Sequence, residues 1–177
     1  MKIDKIVFST SEEYSDFWYT ISRVYKKFLN IEPVCLLFTD REDFNLSSEF
    51  GEVKKIKFIP DLPKIIQITW SKFYYTQFEP ETIWMIGDID QIPLQKKYFY
   101  ESIKDISCEN YCHLNYDGCG QTLQRTNMDW LADGGERKGT FDLPAHYHIA
   151  KGKTFLKTLD LHLSFEEQIK ILTNGKY

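Results

Sequence analysis

Short apolar runs alternate with stretches of helical periodicity from the start of the chain to about residue 107. Lys5–Ser9 predicts a first strand. Thr10-Ser11-Glu12-Glu13 follows, and Thr10 with Glu13 forms a capping-box pattern that predicts a helix opening there. Tyr14, Trp18, Ile21, Tyr25 and Phe28 then recur at helical spacing and predict one apolar face packed on a sheet. Val34–Thr39 predicts a second strand ending at Asp40, and Val53–Ile59 a third that runs into Pro60 and Pro63. Lys64 to Phe78 predicts a helix closed off before Pro80. The unbroken run Ile83-Trp84-Met85-Ile86 is too short for a typical helix and predicts a strand buried on both faces. Phe99, Ile103 and Ile106 mark a short helix after it.

This alternation predicts an α/β chain, a mostly parallel sheet flanked by helices in a single domain over 1–177. Past residue 107 the pattern loosens. Tyr111–Tyr116 predicts a strand, Gly118–Gly139 a polar loop region and His146–Ala150 another strand. Two short helices, Thr154–Leu161 and Ser164–Leu172, complete the series. In open α/β sheets the ligand crevice lies outside the carboxyl ends of the strands. Three strand ends deliver polar groups to one such edge: Ser9-Thr10, Thr39-Asp40 and Asp88-Ile89-Asp90.

The last of these carries the most chemistry. Asp88 and Asp90 directly follow the buried strand, and Pro93 stops further strand pairing. Two carboxylates so close repel each other unless a cation sits between them. A hard divalent ion with oxygen ligands meets that need and commonly shares its coordination with substrate phosphates, so the motif predicts a metal–diphosphate site. A chance Asp-x-Asp in a solvated turn is the plain alternative. Neither acid is expected to contribute to the fold.

Composition narrows the partners. The net charge is −4 with no Lys/Arg block, which argues against nucleic acid. No apolar run reaches membrane-spanning length, and the charged start is unlike a signal peptide. Cys35, Cys108, Cys112 and Cys119 match no paired zinc spacing and are expected as reduced thiols in a cytoplasmic protein. Aromatics make up 16% of the chain, enough to predict a ring-rich core with some rings left for a sugar or base.

With these residues in view, the chain resembles a GT-A-type nucleotide-sugar glycosyltransferase. The matching segments are Ile6-Val7-Phe8-Ser9-Thr10, Leu36-Leu37-Phe38-Thr39-Asp40, Ser71-Lys72-Phe73 and Trp84-Met85-Ile86-Gly87-Asp88-Ile89-Asp90-Gln91-Ile92-Pro93-Leu94. The last has the family's hydrophobic strand, DxD and Pro-Leu. Pro144 to Phe155 is similar to the acceptor-side strand and turn of small glycosyltransferases, including those of large algal viruses. The resemblance is strong over 1–95 and looser beyond. It implies a nucleotide-sugar-binding half over 1–95 and an acceptor half over 107–177. Family members continue past the Ser164–Leu172 helix into a segment that helps close over the donor. Here the chain ends at Tyr177, as a naturally short product or a piece of a longer one.

The resemblance implies transfer of a sugar from a nucleoside diphosphate sugar, UDP-linked by preference, to a glycan or glycoconjugate. Asp90 becomes the direct metal ligand, with Asp88 turned toward the ribose or a metal-bound water. Mn2+ is the family's ion, and Mg2+ suits the same oxygens. Ser9 and Thr10 offer hydroxyls and backbone N–H groups to the nucleotide, and Asp40 accepts from base or ribose. Lys72 either reaches a phosphate or the base, or is an ordinary solvated helix lysine. His146 and His148 share a strand face and are assigned to the acceptor cleft, with metal ligation or plain hydrogen bonding as alternatives. Tyr111, His113, Tyr116, Trp130 and Tyr147 add rings to that half. An inverting reaction needs a general base. Of Asp117, Asp133 and Asp142, the choice falls on Asp142, although each also suits a turn or cap. Two rival readings remain: a haloacid-dehalogenase-like phosphatase using Asp88-Ile89-Asp90, and a nucleotide-sugar-binding protein without turnover.

Overall fold

Four strands form the parallel part of a six-stranded sheet, β1 Lys5–Ser11, β2 Glu32–Phe38, β3 Glu52–Ile56 and β4 Ile83–Ile86. The structure is a computed structural model and describes residues 1–114 and 147–174. Asp117, Asp133, Asp142, His146, Tyr116, Trp130 and the Gly118–Gly139 stretch therefore lie outside the described residues. Two further strands, β5 Cys112–His113 and β6 His148–Lys151, complete the order β3-β2-β1-β4-β6-β5. The first four strands run parallel, while β6 is antiparallel to both β4 and β5, so the sheet is mixed at one edge.

Strands β1, β2 and β4 carry runs of buried apolar residues because both faces are covered, whereas the edge strand β3 is charged and has no buried residue. Ile6, Phe8, Cys35, Leu37, Met85 and Ile149 enter one core layer. Val7, Val34, Leu36, Trp84, Ile86 and Ala150 enter the other. The first layer is covered by α1, Phe17–Arg23, which continues as a π-helical segment Val24–Leu29, and by α3, Lys96–Glu101. The second is covered by α2, Lys64–Tyr75, and α4, Gly152–Thr158. Helix α5, Phe165–Thr173, lies beside α2, where Trp70 Nε1 donates to Gln168 Oε1 at 2.6 Å.

Two local expectations fail for physical reasons. Thr10 does not cap a helix: β1 stays paired with β2 through Ser11↔Phe38, and the Thr10 hydroxyl donates to Ser11 O. A 3-10 turn, Glu12–Tyr14, and then α1 follow. The capping box occurs instead at Ser164 and Glu167, opening α5. On α1, Trp18, Ile21 and Tyr25 are buried as predicted, but Tyr14 is 56% and Phe28 44% exposed. The wider π turn after Val24 advances the inward position by one residue, so Leu29 takes the place predicted for Phe28.

Candidate functional site

A cleft of about 710 Å³ opens at the carboxyl ends of β1, β2 and β4. Ser9 and Thr10 line it from β1, Asp40 from the end of β2, and Asp88, Ile89 and Asp90 from the end of β4. Six of the residues predicted from three separate strand ends thus share one cavity. Lys64, Ile65 and Ile68 at the start of α2 form the facing wall.

The acid loop is held against β1 by its backbone. Gly87 N donates to Val7 O at 3.3 Å, which extends the β1–β4 pairing by one residue. A Cβ at Gly87 would lie 3.1 Å from Ile6 Cδ1 and 3.2 Å from Phe8 Cε1, tighter than ordinary packing. Two residues on, Ile89 is 6% exposed and joins the core cluster beneath. The loop is therefore pinned by an apolar anchor between its two acids, which leaves both carboxylates on the cleft side.

Those carboxylates have unlike surroundings. Asp88 Oδ1 accepts a short hydrogen bond from Lys72 Nζ, which also donates to Gly87 O at 3.4 Å. Asp88 Oδ2 lies 3.5 Å from Gln91 Nε2, at the outer limit of a hydrogen bond. Lys72 is 4% exposed. Its side chain is neither solvated nor free to reach a ligand, as its two readings from sequence supposed. It is the counter-charge of Asp88. Asp90 is exposed and has no hydrogen-bond or ion-pair partner among the described residues.

The rest of the lining is acidic. Glu12 and Glu13 join Asp40, Asp88 and Asp90, so among the described residues five carboxylates and one lysine, Lys64, line the cavity. Glu12 is held by a short hydrogen bond from Thr39 and a 3.3 Å contact from Arg41, which also pairs with Asp43. Sequence reasoning missed both glutamates as cleft residues because it assigned them to a helix start. Their place just beyond the end of β1 was the available signal. Tyr147 was grouped with the acceptor-side rings, yet it packs beside Gly87 and feels both acids. Burial raises its phenol above the ordinary value, the hydrogen bond from Tyr25 opposes this, and the charges of Asp88 and Asp90 add to the rise. It stays a neutral hydroxyl at the edge of the acid loop.

Not every predicted contact reaches the cleft. The Thr10 hydroxyl proton is committed to Ser11 O, and Thr10 is 2% exposed, so its backbone and acceptor lone pairs are what remain for a ligand. His148 is a correction. It is 1% exposed, its Nδ1 lies 2.5 Å from the Tyr111 hydroxyl, and its ring stacks on His113 and meets Phe73 edge-on. Its strand position faces α2 across the sheet, so the imidazole is packed in the core instead of lining an open acceptor cleft.

Among the described residues no group of three or more His, Cys, Asp or Glu is arranged to hold a metal. The two-acid set nevertheless suits a hard cation, because among the described residues Asp90 is unpaired on both oxygens and Asp88 is held firmly on only one. A divalent ion held there would need its remaining ligands from elsewhere, such as a phosphate and water. Among the described residues no helix is long and apolar enough to cross a membrane. Comparison with known protein families and with curated proteins finds no match to this chain.

Proposed function

We propose that the chain is a metal-dependent glycosyltransferase with a GT-A-like sheet. In this reading it binds a nucleoside diphosphate sugar, UDP-linked by preference, in the cleft and moves the sugar to a saccharide or glycoconjugate. The observation that carries the reading is the acid pair at the end of β4, set in a cavity whose lining carries five carboxylates against one lysine. A diphosphate is repelled by such a lining unless a divalent cation stands between them.

The residues divide the task. Asp90, without a protein partner, is the direct ligand for Mn2+ or Mg2+, and Asp88 supplies its free oxygen to a metal-bound water or to the ribose. When bound, the ion offsets the negative charge that builds on the leaving diphosphate. Lys72 holds Asp88 in place and offsets its charge, which lowers the repulsion within the acid pair. Ser9 and the Thr10 backbone face the nucleotide, and Asp40 accepts hydrogen bonds from ribose or base at the exposed rim. The acceptor belongs to the half over 107–177, with His146 as a contact and Asp142 as the base of an inverting reaction. The free thiols of Cys35, Cys108 and Cys112 favour a cytoplasmic setting.

Incubation with UDP-sugars and Mn2+ tests this reading, with UDP release and sugar transfer measured separately. Metal-dependent UDP release that falls with Asp90→Asn supports it. Phosphate release from a simple phosphomonoester, indifferent to nucleotide sugars, would make the chain a phosphatase acting through Asp88. Metal-dependent UDP binding with no turnover would make it a donor-binding protein.

A further inference from the structure

The outward face of α1 carries a second cavity, about 380 Å³, remote in chemistry from the acidic cleft. Tyr19, Arg23 and Lys27 recur every four residues and form one column along it, and Thr20, Val24 and Phe28 form the next. Phe50 packs beside the first column. The Arg23 guanidinium lies 5.9 Å and the Lys27 ammonium 5.8 Å from its ring centre, and Tyr19 meets it edge-on at 5.5 Å. Unlike neighbouring Lys26, which pairs with Glu32, Arg23 and Lys27 have no carboxylate partner among the described residues. Phe17, Tyr19 and Phe28 are 42%, 48% and 44% exposed.

Exposed rings beside two uncompensated cations are a combination that water alone does not reward. Each ring keeps apolar surface wet, and two like charges are held one helical turn apart. In a chain of net charge −4, this local excess of positive charge is complementary to an anionic surface. Rings and basic side chains together on the outer face of a helix suit the headgroup region of an anionic bilayer. There the rings enter the acyl boundary and the cations meet phosphates. A protein partner would need its own acidic, ring-accepting surface, whereas an anionic bilayer supplies both chemistries without one.

We propose that this face of α1 docks the protein, peripherally and reversibly, on an anionic phospholipid surface. Arg23 and Lys27 contact the headgroup phosphates, and Phe28 with Tyr19 enters the interface. The proposal is independent of the sugar-transfer reading, since no residue of the acidic cleft takes part.

The test is co-sedimentation of the intact chain with vesicles of phosphatidylcholine alone and of phosphatidylcholine mixed with phosphatidylglycerol. Binding is expected only to the mixed vesicles and should weaken as salt is raised. The Arg23→Gln/Lys27→Gln double variant should bind roughly thirtyfold more weakly, from about fivefold per cation removed. Phe28→Ser should reduce binding at every salt concentration. These positions are exposed, so circular dichroism and melting temperature should be unchanged and confirm that the variants are folded. Equal binding to both vesicle types, or unchanged binding by the double variant, overturns the proposal. So does stabilisation by soluble glycerol phosphate as strong as that by mixed vesicles, which would mean a site for free phosphate. Capture by an acidic protein with no vesicle binding would make the face a protein interface and also overturn it.

Discussion

Strands β1, β2 and β4 bring their carboxyl ends to one edge of the sheet, while β6 runs the other way and starts there. The parallel strands deliver Ser9 from within β1, and Asp40, Asp88 and Asp90 from just beyond β2 and β4, to the open cleft. The antiparallel strand begins with groups that turn inward. His148 opposes Ile86 and packs under Phe73 and Tyr111, and Tyr147 lies against Gly87. Where strands end together, the next residues are released into a crevice. Where a strand arrives antiparallel, its first residues close the sheet's flank. Polarity of residue type does not separate these cases, since histidine and aspartate both read as site chemistry. Strand direction does.

Glycine substitutions should show the two sides at their most unequal. At Gly152, where β6 passes into α4, a Cβ would lie 2.2 Å from Thr76 O and 2.5 Å from Glu79 O, both backbone atoms that cannot yield. Gly152→Ala should lower stability by more than about 3 kcal/mol in urea unfolding. Gly87→Ala, on the parallel side, meets only the ends of Ile6 and Phe8 side chains and should lose about 1 kcal/mol. Equal effects would mean that the β6–α4 junction is not packed as described.

The acid pair offers the next comparison. Asp88→Asn leaves the buried Lys72 ammonium without its counter-charge and should destabilise the ligand-free protein by about 2–3 kcal/mol. Lys72→Met should lose less, about 2 kcal/mol, because Asp88 is 32% exposed and regains water. Asp90→Asn should leave the melting temperature unchanged. From the sequence neither acid was expected to matter to the fold, and the structure separates them. If all three variants melt like the parent, the Lys72–Asp88 pair is not formed in solution.

The smallest effect concerns the far end of the sheet. Burial acts to raise the Glu79 carboxyl, but hydrogen bonds from Lys5 and Thr82 outweigh it and hold the group below its usual value. A depressed carboxylate contributes stability that is present above its unfolded value of about 4.3 and lost as pH falls through the lower folded one. Glu79→Gln should therefore lose this small contribution at neutral pH, match the parent at low pH, and so flatten the acid limb of the stability profile slightly. A steeper acid limb in the variant would reverse the sign of this argument.

How much of this was legible in the chain follows from the range of the forces involved. Strands β1, β2 and β4 were legible because burial on both faces writes a run of apolar residues, and the cleft because strand ends in a parallel sheet converge. The antiparallel entry of β6 was not, since its four residues carry no sign of direction. The exchange of Phe28 for Leu29 depended on a π turn that side-chain spacing alone does not announce. Lys72 was seen as a candidate but not as Asp88's partner. Its burial follows from where α2 lies over the end of β4, a tertiary contact across sixteen residues of sequence. That Asp90 has no partner among the described residues has the same origin, because Lys72 is spent on its neighbour.

The central claim is that this cleft holds a nucleoside diphosphate only through a divalent cation at Asp90. Thermal melting with UDP, in Mn2+ and in EDTA, for the parent and Asp90→Asn, measures it directly. With UDP at about a hundred times its dissociation constant, the parent should melt roughly 5–10 °C higher in Mn2+. No shift should occur in EDTA or in the variant. A shift of equal size in EDTA, or one that survives in Asp90→Asn, would contradict the account.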